Sequence, residues 1–246
     1  MSETPIQNKS LELLSIKCIT VYFLKLICSL KISICFVYSF NMPTPRCISI
    51  SFICGILILP ITNGENCADQ FTPWNADGGG NAVYLDRHRL KCGSSSDVLR
   101  SFKLERSGNK IRYKYTCCNL PKATCSLRKV QNSYTVEGKG NSVYLDRQHV
   151  YCGARGLLYE FLLKRMHRRM GKYTYQYYCC DFNSQSSLHC YNDATLFTID
   201  GGGHMVYLDR QLVRCSSGYF LQSFRLIRNV DHDRVRYRIR CCEITS

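Results

Sequence analysis

Apolar and polar residues alternate with a period of two in several segments of the second half of the chain. In "IRYKYTCC" (111–118), Ile111, Tyr113 and Tyr115 fall on one face of an extended chain, and basic or hydroxyl residues fall on the other. The segment "VRYRIRCC" (235–242) repeats this alternation. A period of two with Tyr, Val and Ile on the apolar face is typical of half-buried β-strands. The pattern therefore predicts an all-β protein.

An eleven-residue phrase occurs three times, as "AVYLDRHRLKC" from Ala82, "SVYLDRQHVYC" from Ser142 and "MVYLDRQLVRC" from Met205. Each copy lies within a group of four cysteines. The first and second cysteines of a group are 25, 27 and 25 residues apart, and the second and third are 25, 27 and 26 apart. The groups are Cys67, Cys92, Cys117 and Cys118, then Cys125, Cys152, Cys179 and Cys180, then Cys190, Cys215, Cys241 and Cys242.

The agreement of spacing, cysteine count and wording predicts three tandem disulfide-rich repeats of about 60 residues. We call them module 1 (65–124), module 2 (125–189) and module 3 (190–246). Two arrangements remain open. The modules either close into one β-prism-like domain with pseudo-threefold symmetry or follow one another as separate beads.

The modules share three further segments. An aromatic–threonine pair comes first, at 71–72, 134–135 and 197–198, and an acidic residue with glycines follows at 77–80, 137–140 and 200–203. After the phrase comes the pattern Leu-x-x-Phe-x-Leu-x-Arg, which starts at Leu99, Leu158 and Leu221. Only "LLYEFLLKRMHRRM" (157–170) also fits a helix, and because its aligned segments alternate as strands, we predict a strand there.

The repeated phrase changes its apolar face halfway along. Val83 and Leu85 share one face, whereas Leu90 lies at an odd spacing from Leu85, so the phase must switch between them. This predicts a bulge or turn at residues 86–88, where Asp favours a turn by bonding its own downstream backbone. The Asp–Arg pair is expected to hold this corner.

The cysteines predict disulfides rather than metal ligands. Adjacent residues on a strand point to opposite faces, so the two cysteines of each doublet serve different bridges. We expect the second cysteine of a module to bond one member of the doublet and the first cysteine to bond the other, with the choice between them open. No Cys-x2-Cys or Cys/His spacing indicates a metal site.

The amino end predicts secretion. Residues 42–64, "MPTPRCISISFICGILILPITNG", have a basic start, an uncharged apolar run and small residues before Glu65, which is the layout of a signal peptide. We therefore expect Met42 to be the initiator and residues 1–41 to be an upstream extension absent from the mature protein. The alternative is one long signal or a signal anchor. Residues 1–64 hold five basic residues, two acidic residues and five cysteines, so the mature part has a net charge of +12 and 12 cysteines.

The segment "CGARGLLYEFLLKRMHRRMGKYTYQYYCC" (152–180) resembles the repeated unit of dermatopontin, and "CSSGYFLQSFRLIRNVDHDRVRYRIRCC" (215–242), with Asp233-Arg234, is nearer still. The match covers about half of each module, and the tryptophan of that pattern is absent from the last strand. The threefold β layout is also similar to the β-prism of vitelline membrane outer layer protein. These resemblances imply an extracellular-matrix or lectin-like protein that binds acidic polysaccharide or matrix proteins.

The sequence does not favour an enzyme. The histidines form no nucleophile or metal motif, and a polar group repeated three times serves a fold or multivalent binding rather than one active site. We predict no catalytic residue, no metal and no cofactor. The glycine loops are read either as tight turns or as places where a sugar approaches the backbone.

The candidate ligand-binding residues belong to the three corners and to one basic strand. Tyrosine stacks on sugar rings, and Asp and Arg bond hydroxyl or acidic groups, although a corner that serves only the fold would read the same. These candidates are Tyr84, Asp86, Arg87, Tyr144, Asp146, Arg147, Tyr207, Asp209, Arg210, Arg236, Arg238 and Arg240.

The net positive charge favours anionic partners. For a secreted protein we expect anionic glycans or matrix proteins, with no nucleic acid and no stable membrane insertion of the mature chain. The alternative function is a cationic defence or toxin-like protein that acts on microbes or membranes.

Overall fold

The computed structural model describes residues 32–34, 48–50, 66–120, 125–166, 171–183 and 186–245. The chain divides into two compact units, residues 1–60 and 61–246. In the first unit two short strands pair antiparallel, with Ile32 opposite Ile50. Apart from these strands, the predicted extension (1–41) and signal peptide (42–64) lie outside the described residues.

The described residues form seventeen strands and five short 3-10 helices. The strands are β1 (Ile32–Ile34), β2 (Ile48–Ile50), β3 (Cys67–Phe71), β4 (Asn75–Ala76), β5 (Leu90–Lys91), β6 (Asp97–Ser107), β7 (Lys110–Asn119), β8 (Cys125–Gln131), β9 (Thr135–Val136), β10 (His149–Tyr151), β11 (Gly156–Arg165), β12 (Lys172–Phe182), β13 (Ser187–Ala194), β14 (Thr198–Ile199), β15 (Leu212–Arg214), β16 (Phe220–Arg228) and β17 (Arg234–Thr245). The helices are η1 (Ala82–Arg87), η2 (Gly138–Gly140), η3 (Ser142–Arg147), η4 (Gly201–Gly203) and η5 (Met205–Arg210).

The second unit consists of three similar five-stranded antiparallel sheets, which confirms the all-β prediction. Each sheet is built on a long hairpin, β6–β7, β11–β12 or β16–β17, and the first strand of the module pairs with the second arm of that hairpin. The segment that also fits a helix is the strand β11 up to Arg165. The alternation seen in the sequence places Ile111, Tyr113 and Tyr115 in the core.

Each module gives one short strand to the sheet of the next module. β5 of module 1 pairs with β11 of module 2, β10 of module 2 pairs with β16 of module 3, and β15 of module 3 pairs with β6 of module 1. The last of these pairings returns to the first sheet. The three modules therefore close into one ring with pseudo-threefold symmetry, and they are not separate beads.

A β-bulge in the first arm of each hairpin receives the incoming chain. The bulges lie between Leu99 and Ser101, Leu158 and Glu160, and Leu221 and Ser223. The carbonyl oxygens of Arg100, Tyr159 and Gln222 at the bulges accept hydrogen bonds from the N–H groups of Cys215, Cys92 and Cys152, at 3.1, 3.3 and 3.1 Å. The bulge thus fixes where the neighbouring module attaches.

The core is organised around the phenylalanine of the Leu-x-x-Phe pattern. The ring centroids of Phe102, Phe161 and Phe224 lie 5.1, 5.0 and 4.8 Å apart, so one residue from each module meets the other two. Such edge and tilted contacts are favourable arrangements for aromatic rings. Because each ring contacts both others, the centre of the core exists only when all three modules are present.

Six disulfides join the described cysteines, two within each module, as predicted. The first cysteine bonds the second member of the doublet, and the second cysteine bonds the first member. The pairs are Cys67–Cys118, Cys92–Cys117, Cys125–Cys180, Cys152–Cys179, Cys190–Cys242 and Cys215–Cys241. This many disulfides indicates an oxidising compartment.

The alignment of the aromatic–threonine pair is wrong for module 1. Strand β4, which starts at Asn75, pairs with the hairpin at the position where β9 and β14 pair in the other modules. The residue that precedes β4 is Trp74, so Trp74 rather than Phe71 is the counterpart of Tyr134 and Phe197. The dipeptide at 71–72 matched by chance three residues too early.

Candidate ligand-binding surfaces

The repeated corner is a six-residue 3-10 helix, η1, η3 or η5, of about two turns, instead of the end of a strand. In each copy the arginine lies over the tyrosine ring, with the guanidinium carbon 4.0, 4.1 and 4.3 Å from the ring centroid. The pairs are Arg87 with Tyr84, Arg147 with Tyr144 and Arg210 with Tyr207. The apolar face changes across this turn, as the sequence phase requires.

The glycine loop and the corner of a module form one structural unit. A Cβ atom at Gly78, Gly138 or Gly201 would overlap the ring of the corner tyrosine in the same module. The carboxylate of Asp77 accepts a hydrogen bond from the N–H of Gly79 at 2.9 Å, which closes the loop on itself. The tight-turn interpretation of the glycines therefore has a direct geometric basis.

The corner aspartates face the next module rather than the adjacent arginine. Asp146 accepts a hydrogen bond from Arg228 of module 3 at 3.1 Å. Burial raises the pKa of Asp86, and the nearby charge of Arg165 in module 2 opposes that rise. Asp209 lines a groove with Arg106 of module 1. Each corner aspartate thus lies near one arginine of the Leu-x-x-Phe-x-Leu-x-Arg pattern, and Asp146 is bonded to its arginine.

The three glycine loops meet at one end of the ring. They line a depression of about 290 Å³ together with Asn81, Lys139, Asn141 and His204. Each loop is capped by its neighbour, since a Cβ at Gly80 would overlap the ring of His204 and one at Gly140 would overlap the amide of Asn81. The loops are therefore joined to each other as well as to their own corners.

The outer face of the module 3 sheet carries four arginines. Arg236, Arg238 and Arg240 alternate along β17, and Arg225 of β16 lies directly opposite Arg238. We call these four residues the arginine face. No ion pair joins any of them to a carboxylate in the part of the chain that the structure describes. The burial of His149, on the neighbouring strand β10, lowers its pKa, and the charge of Arg225 lowers it further.

Two of the arginines are only partly open to solvent. Arg236 lies over the ring of Phe197, with the guanidinium carbon 4.2 Å from the ring centroid. The Nε atoms of Arg236 and Arg240 are buried and have no hydrogen-bond acceptor among the described residues. Arg238 is exposed. Nε of Arg225 donates to the backbone carbonyl of Asp146 at 2.9 Å, and no carboxylate of the described residues neutralises the face.

The corresponding faces of the other modules are different. In module 1 the equivalent cross-strand pair is Lys103 and Lys114, and Lys114 is bound to Asp69 at 2.8 Å. In module 2 the pair is Leu162 and Gln176, which carries no charge. The repeat therefore conserves the fold of the three sheets and varies their outer surfaces.

A groove of about 440 Å³ lies at the junction of modules 3 and 1. It is lined by Trp74, Glu105, Arg106 and Asp209, together with Lys103, Leu104 and Ser107. Trp74 is 39% exposed and is the only tryptophan of the chain. We call this feature the tryptophan groove.

Sequence reasoning missed Arg225 and Trp74. Arg225 stands at a polar position of a strand where modules 1 and 2 have Lys103 and Leu162, and only the register of the hairpin shows that it opposes Arg238. The significance of Trp74 was hidden by the three-residue misalignment in module 1. Counting back from the glycine loop instead of matching the aromatic–threonine pair would have identified Trp74.

The site and the fold define a disulfide-bonded, three-module β protein with one strongly basic sheet face. No family model and no curated protein matches the chain. In the described residues, no helix is both long enough and apolar enough to cross a membrane.

Proposed function

We propose that the protein is an extracellular binding protein that holds an acidic polysaccharide on the arginine face. The observation that carries this proposal is the direct opposition of Arg225 and Arg238 on neighbouring strands, with no ion pair from either to a carboxylate of the described residues. Like charges opposite each other destabilise a sheet, so an anion that lies between them relieves a cost built into the fold. The resemblance to dermatopontin-like repeats points to the same class of ligand.

The geometry suits a linear polyanion better than a single small anion. Alternate residues on a strand lie about 7 Å apart, so Arg236, Arg238 and Arg240 form a row along β17. Arg225 widens this row by one strand. Guanidinium groups bond sulfate and carboxylate oxygens through paired donors, which favours such ligands over simple screening by salt.

Binding is proposed instead of catalysis because the repeated corners are engaged within the protein. Their tyrosines contact glycine loops and their arginines contact those tyrosines. The corners remain candidate ligand residues where their outer edges are exposed, but the contacts support first of all a role in joining modules.

Heparin affinity tests the proposal with a matched pair of variants. Arg225→Gln combined with Arg238→Gln removes two charges from the arginine face, and Lys103→Gln combined with Lys114→Gln removes two from the equivalent positions of module 1. We expect the arginine variant to lower the slope of log affinity against log salt by about two, because binding through two fewer arginines releases about two fewer counterions from the polysaccharide. The lysine variant should change it by less, since Lys114 already bonds Asp69.

Stability measurements on the same variants separate function from fold. Without ligand, the arginine variant should be about as stable as the parent protein, since it loses a repulsion and also the 2.9 Å hydrogen bond from Nε of Arg225 to the carbonyl oxygen of Asp146. Equal loss of heparin binding in both double variants would show that net charge alone attracts the polysaccharide, and it would refute the arginine face. Release of dye from anionic vesicles by the intact protein would favour the cationic defence function instead.

A further inference from the structure

From the tryptophan groove we infer a second binding site, one for a neutral sugar ring, which is separate from the arginine face. The groove lies at the junction of modules 3 and 1, whereas the arginine face lies on the sheet of module 3. The inference does not depend on the polysaccharide proposal, because the two sites share no residue.

Among the described residues, the junction of modules 3 and 1 lacks the ion pair that closes the junction of modules 2 and 3. At the junction of modules 2 and 3, Asp146 is bound to Arg228 at 3.1 Å. At the junction of modules 1 and 2, the equivalent arginine, Arg165, lies 3.6 Å from Glu137 of its own module. Arg106, the third equivalent arginine, forms no ion pair in the described part of the chain, and its Nε donates only to the carbonyl of Gly108 at 3.1 Å.

Asp209 is likewise unpaired. Its carboxylate has no hydrogen-bond partner in the residues that the structure describes, although its counterpart Asp146 is engaged. Asp209 and Arg106 both line the groove without bonding each other. The aspartate and arginine that bond each other at the junction of modules 2 and 3 are therefore available to a ligand at the junction of modules 3 and 1.

Trp74 supplies the stacking surface. Arg112 lies over the indole with its guanidinium carbon 4.5 Å from the ring centroid, and its Nε donates to Glu105 at 2.8 Å. These contacts hold the indole at the side of the groove while it stays 39% exposed. The equivalent residues Tyr134 and Phe197 are smaller aromatic residues, so this junction has the largest platform of the three.

The charges of the groove select a neutral ligand. The lining holds Lys103 and Arg106 against Glu105 and Asp209, and Arg112 beside Trp74 adds one positive charge that is paired with Glu105, so the groove is close to neutral compared with the arginine face. An aromatic platform flanked by carboxylate and guanidinium groups matches a pyranose ring, which has an apolar face and hydroxyls that both donate and accept hydrogen bonds. An acidic polysaccharide would instead find uncompensated positive charge on the arginine face.

Tryptophan fluorescence tests the site directly, because Trp74 is the chain's only tryptophan and every change in indole emission reports on this groove. The full chain is titrated with methyl mannoside, methyl galactoside, methyl glucoside and N-acetylglucosamine, and with their linear trisaccharides. We expect a saturable change with at least one of these sugars. Heparin fragments serve as the acidic comparison.

Asp209→Asn is the test variant, and Asp86→Asn, at the equivalent corner of module 1, is the matched control. Loss of one hydrogen-bonding carboxylate should weaken sugar binding about tenfold in Asp209→Asn. The control should bind like the parent protein, and thermal melting checks that both variants fold. Calorimetry on Trp74→Ala should show no sugar binding.

Three outcomes would overturn the inference. These are no saturable response to any neutral sugar, a response to heparin fragments alone, or sugar binding that Asp209→Asn leaves unchanged. Retention on heparin measures the arginine face, so failure of the polysaccharide proposal and failure of this one give different results.

Discussion

At the scale of single residues, His88 stands where the other modules have glutamine. It follows the corner as Gln148 and Gln211 do, and all three side chains are 1% exposed. Its Nδ1 lies 2.8 Å from Oγ1 of Thr72, but its buried Nε2 has no hydrogen-bond partner among the described residues. Burial, with a smaller contribution from the charge of Arg87, lowers the pKa of His88 from 6.5 to about 4.

This histidine should make the fold sensitive to acid. The unfolded chain binds a proton at His88 below about pH 6.5, whereas the folded protein does so only near pH 4, so the free energy of unfolding falls as pH drops through this window. The loss should reach about 3 kcal/mol. His88→Gln should remove that part of the pH dependence, as measured by denaturant unfolding at a series of pH values.

The reciprocal variant provides the control. Gln148 donates to Oγ1 of Thr135 at 2.7 Å and accepts from the N–H of Tyr175. Gln148→His should lower stability and steepen its dependence on pH over the same window. An unchanged pH profile in His88→Gln would show that another group controls the acid response.

A second residue-scale prediction concerns the contact between glycine loops. Gly79 and Gly80 both have positive φ, +67° and +82°, but only at Gly80 would a Cβ meet a neighbour, the ring of His204. Gly79→Ala should therefore cost about 1 kcal/mol of backbone strain, and Gly80→Ala should cost more by the clash. Thermal melting compares the two. If His204→Ala does not restore part of the loss in Gly80→Ala, the loops are not joined as described.

At the scale of elements, the doublet cysteines serve opposite faces of β7. Cys92 and Cys117 are buried, whereas Cys67 is half-buried on the edge strand β3, with a guanidinium nitrogen of Arg100 3.7 Å from its sulfur. Cys118→Ser leaves Cys67 as a free thiol, and Cys117→Ser leaves Cys92. Each change should cost about 3–4 kcal/mol of stability.

The two freed thiols should react at very different rates. Cys67 is accessible and lies beside a positive charge, which favours the thiolate, so a thiol reagent should label it in the folded protein. Cys92 should stay unlabelled until the protein unfolds. Mass spectrometry of labelled peptides reads both results, and the opposite order of labelling would mean that the two bridges of the doublet are exchanged.

The strands and the disulfide modules could be predicted because their signals are local. The alternation in 111–118 and 235–242 predicts which side chains are buried. Each cysteine doublet predicts two disulfides, one on each face of its strand. The pairing of β5 with β11 could not be predicted, because Leu90 and Lys91 are too few residues to carry a register. The same limit hid Arg225, because its position opposite Arg238 depends on pairing across the hairpin, whereas Arg236, Arg238 and Arg240 were predicted from their alternation along one strand.

At the scale of the whole molecule, closure of the ring makes the modules interdependent. Module 1 lacks the edge of its sheet until β15 arrives from module 3, and its Phe102 lacks the rings of Phe224 and Tyr237 from the same module. The modules are also joined by Arg89, which donates to both carboxylate oxygens of the buried Glu160 in module 2. A chain that lacks module 3 therefore exposes apolar surface and unpaired strand edges at both neighbouring modules.

A ring should nevertheless tolerate a change in the order of its modules along the chain. A circular permutant that starts at Cys125, continues from Thr245 through a short glycine–serine linker to Asn66 and ends at Leu120 keeps every pairing between modules. The linker needs only the length of the connections that already join module 1 to module 2 and module 2 to module 3. Pseudo-threefold symmetry makes the gap between the end of module 3 and the start of module 1 similar to those two. We expect this permutant to unfold in one transition close to that of the parent, with the same six disulfides by peptide mapping.

The deletion of residues 190–246 should instead abolish cooperative unfolding. A deletion variant that melts cooperatively would show that two modules suffice, and the closed ring would then not be what holds the fold together.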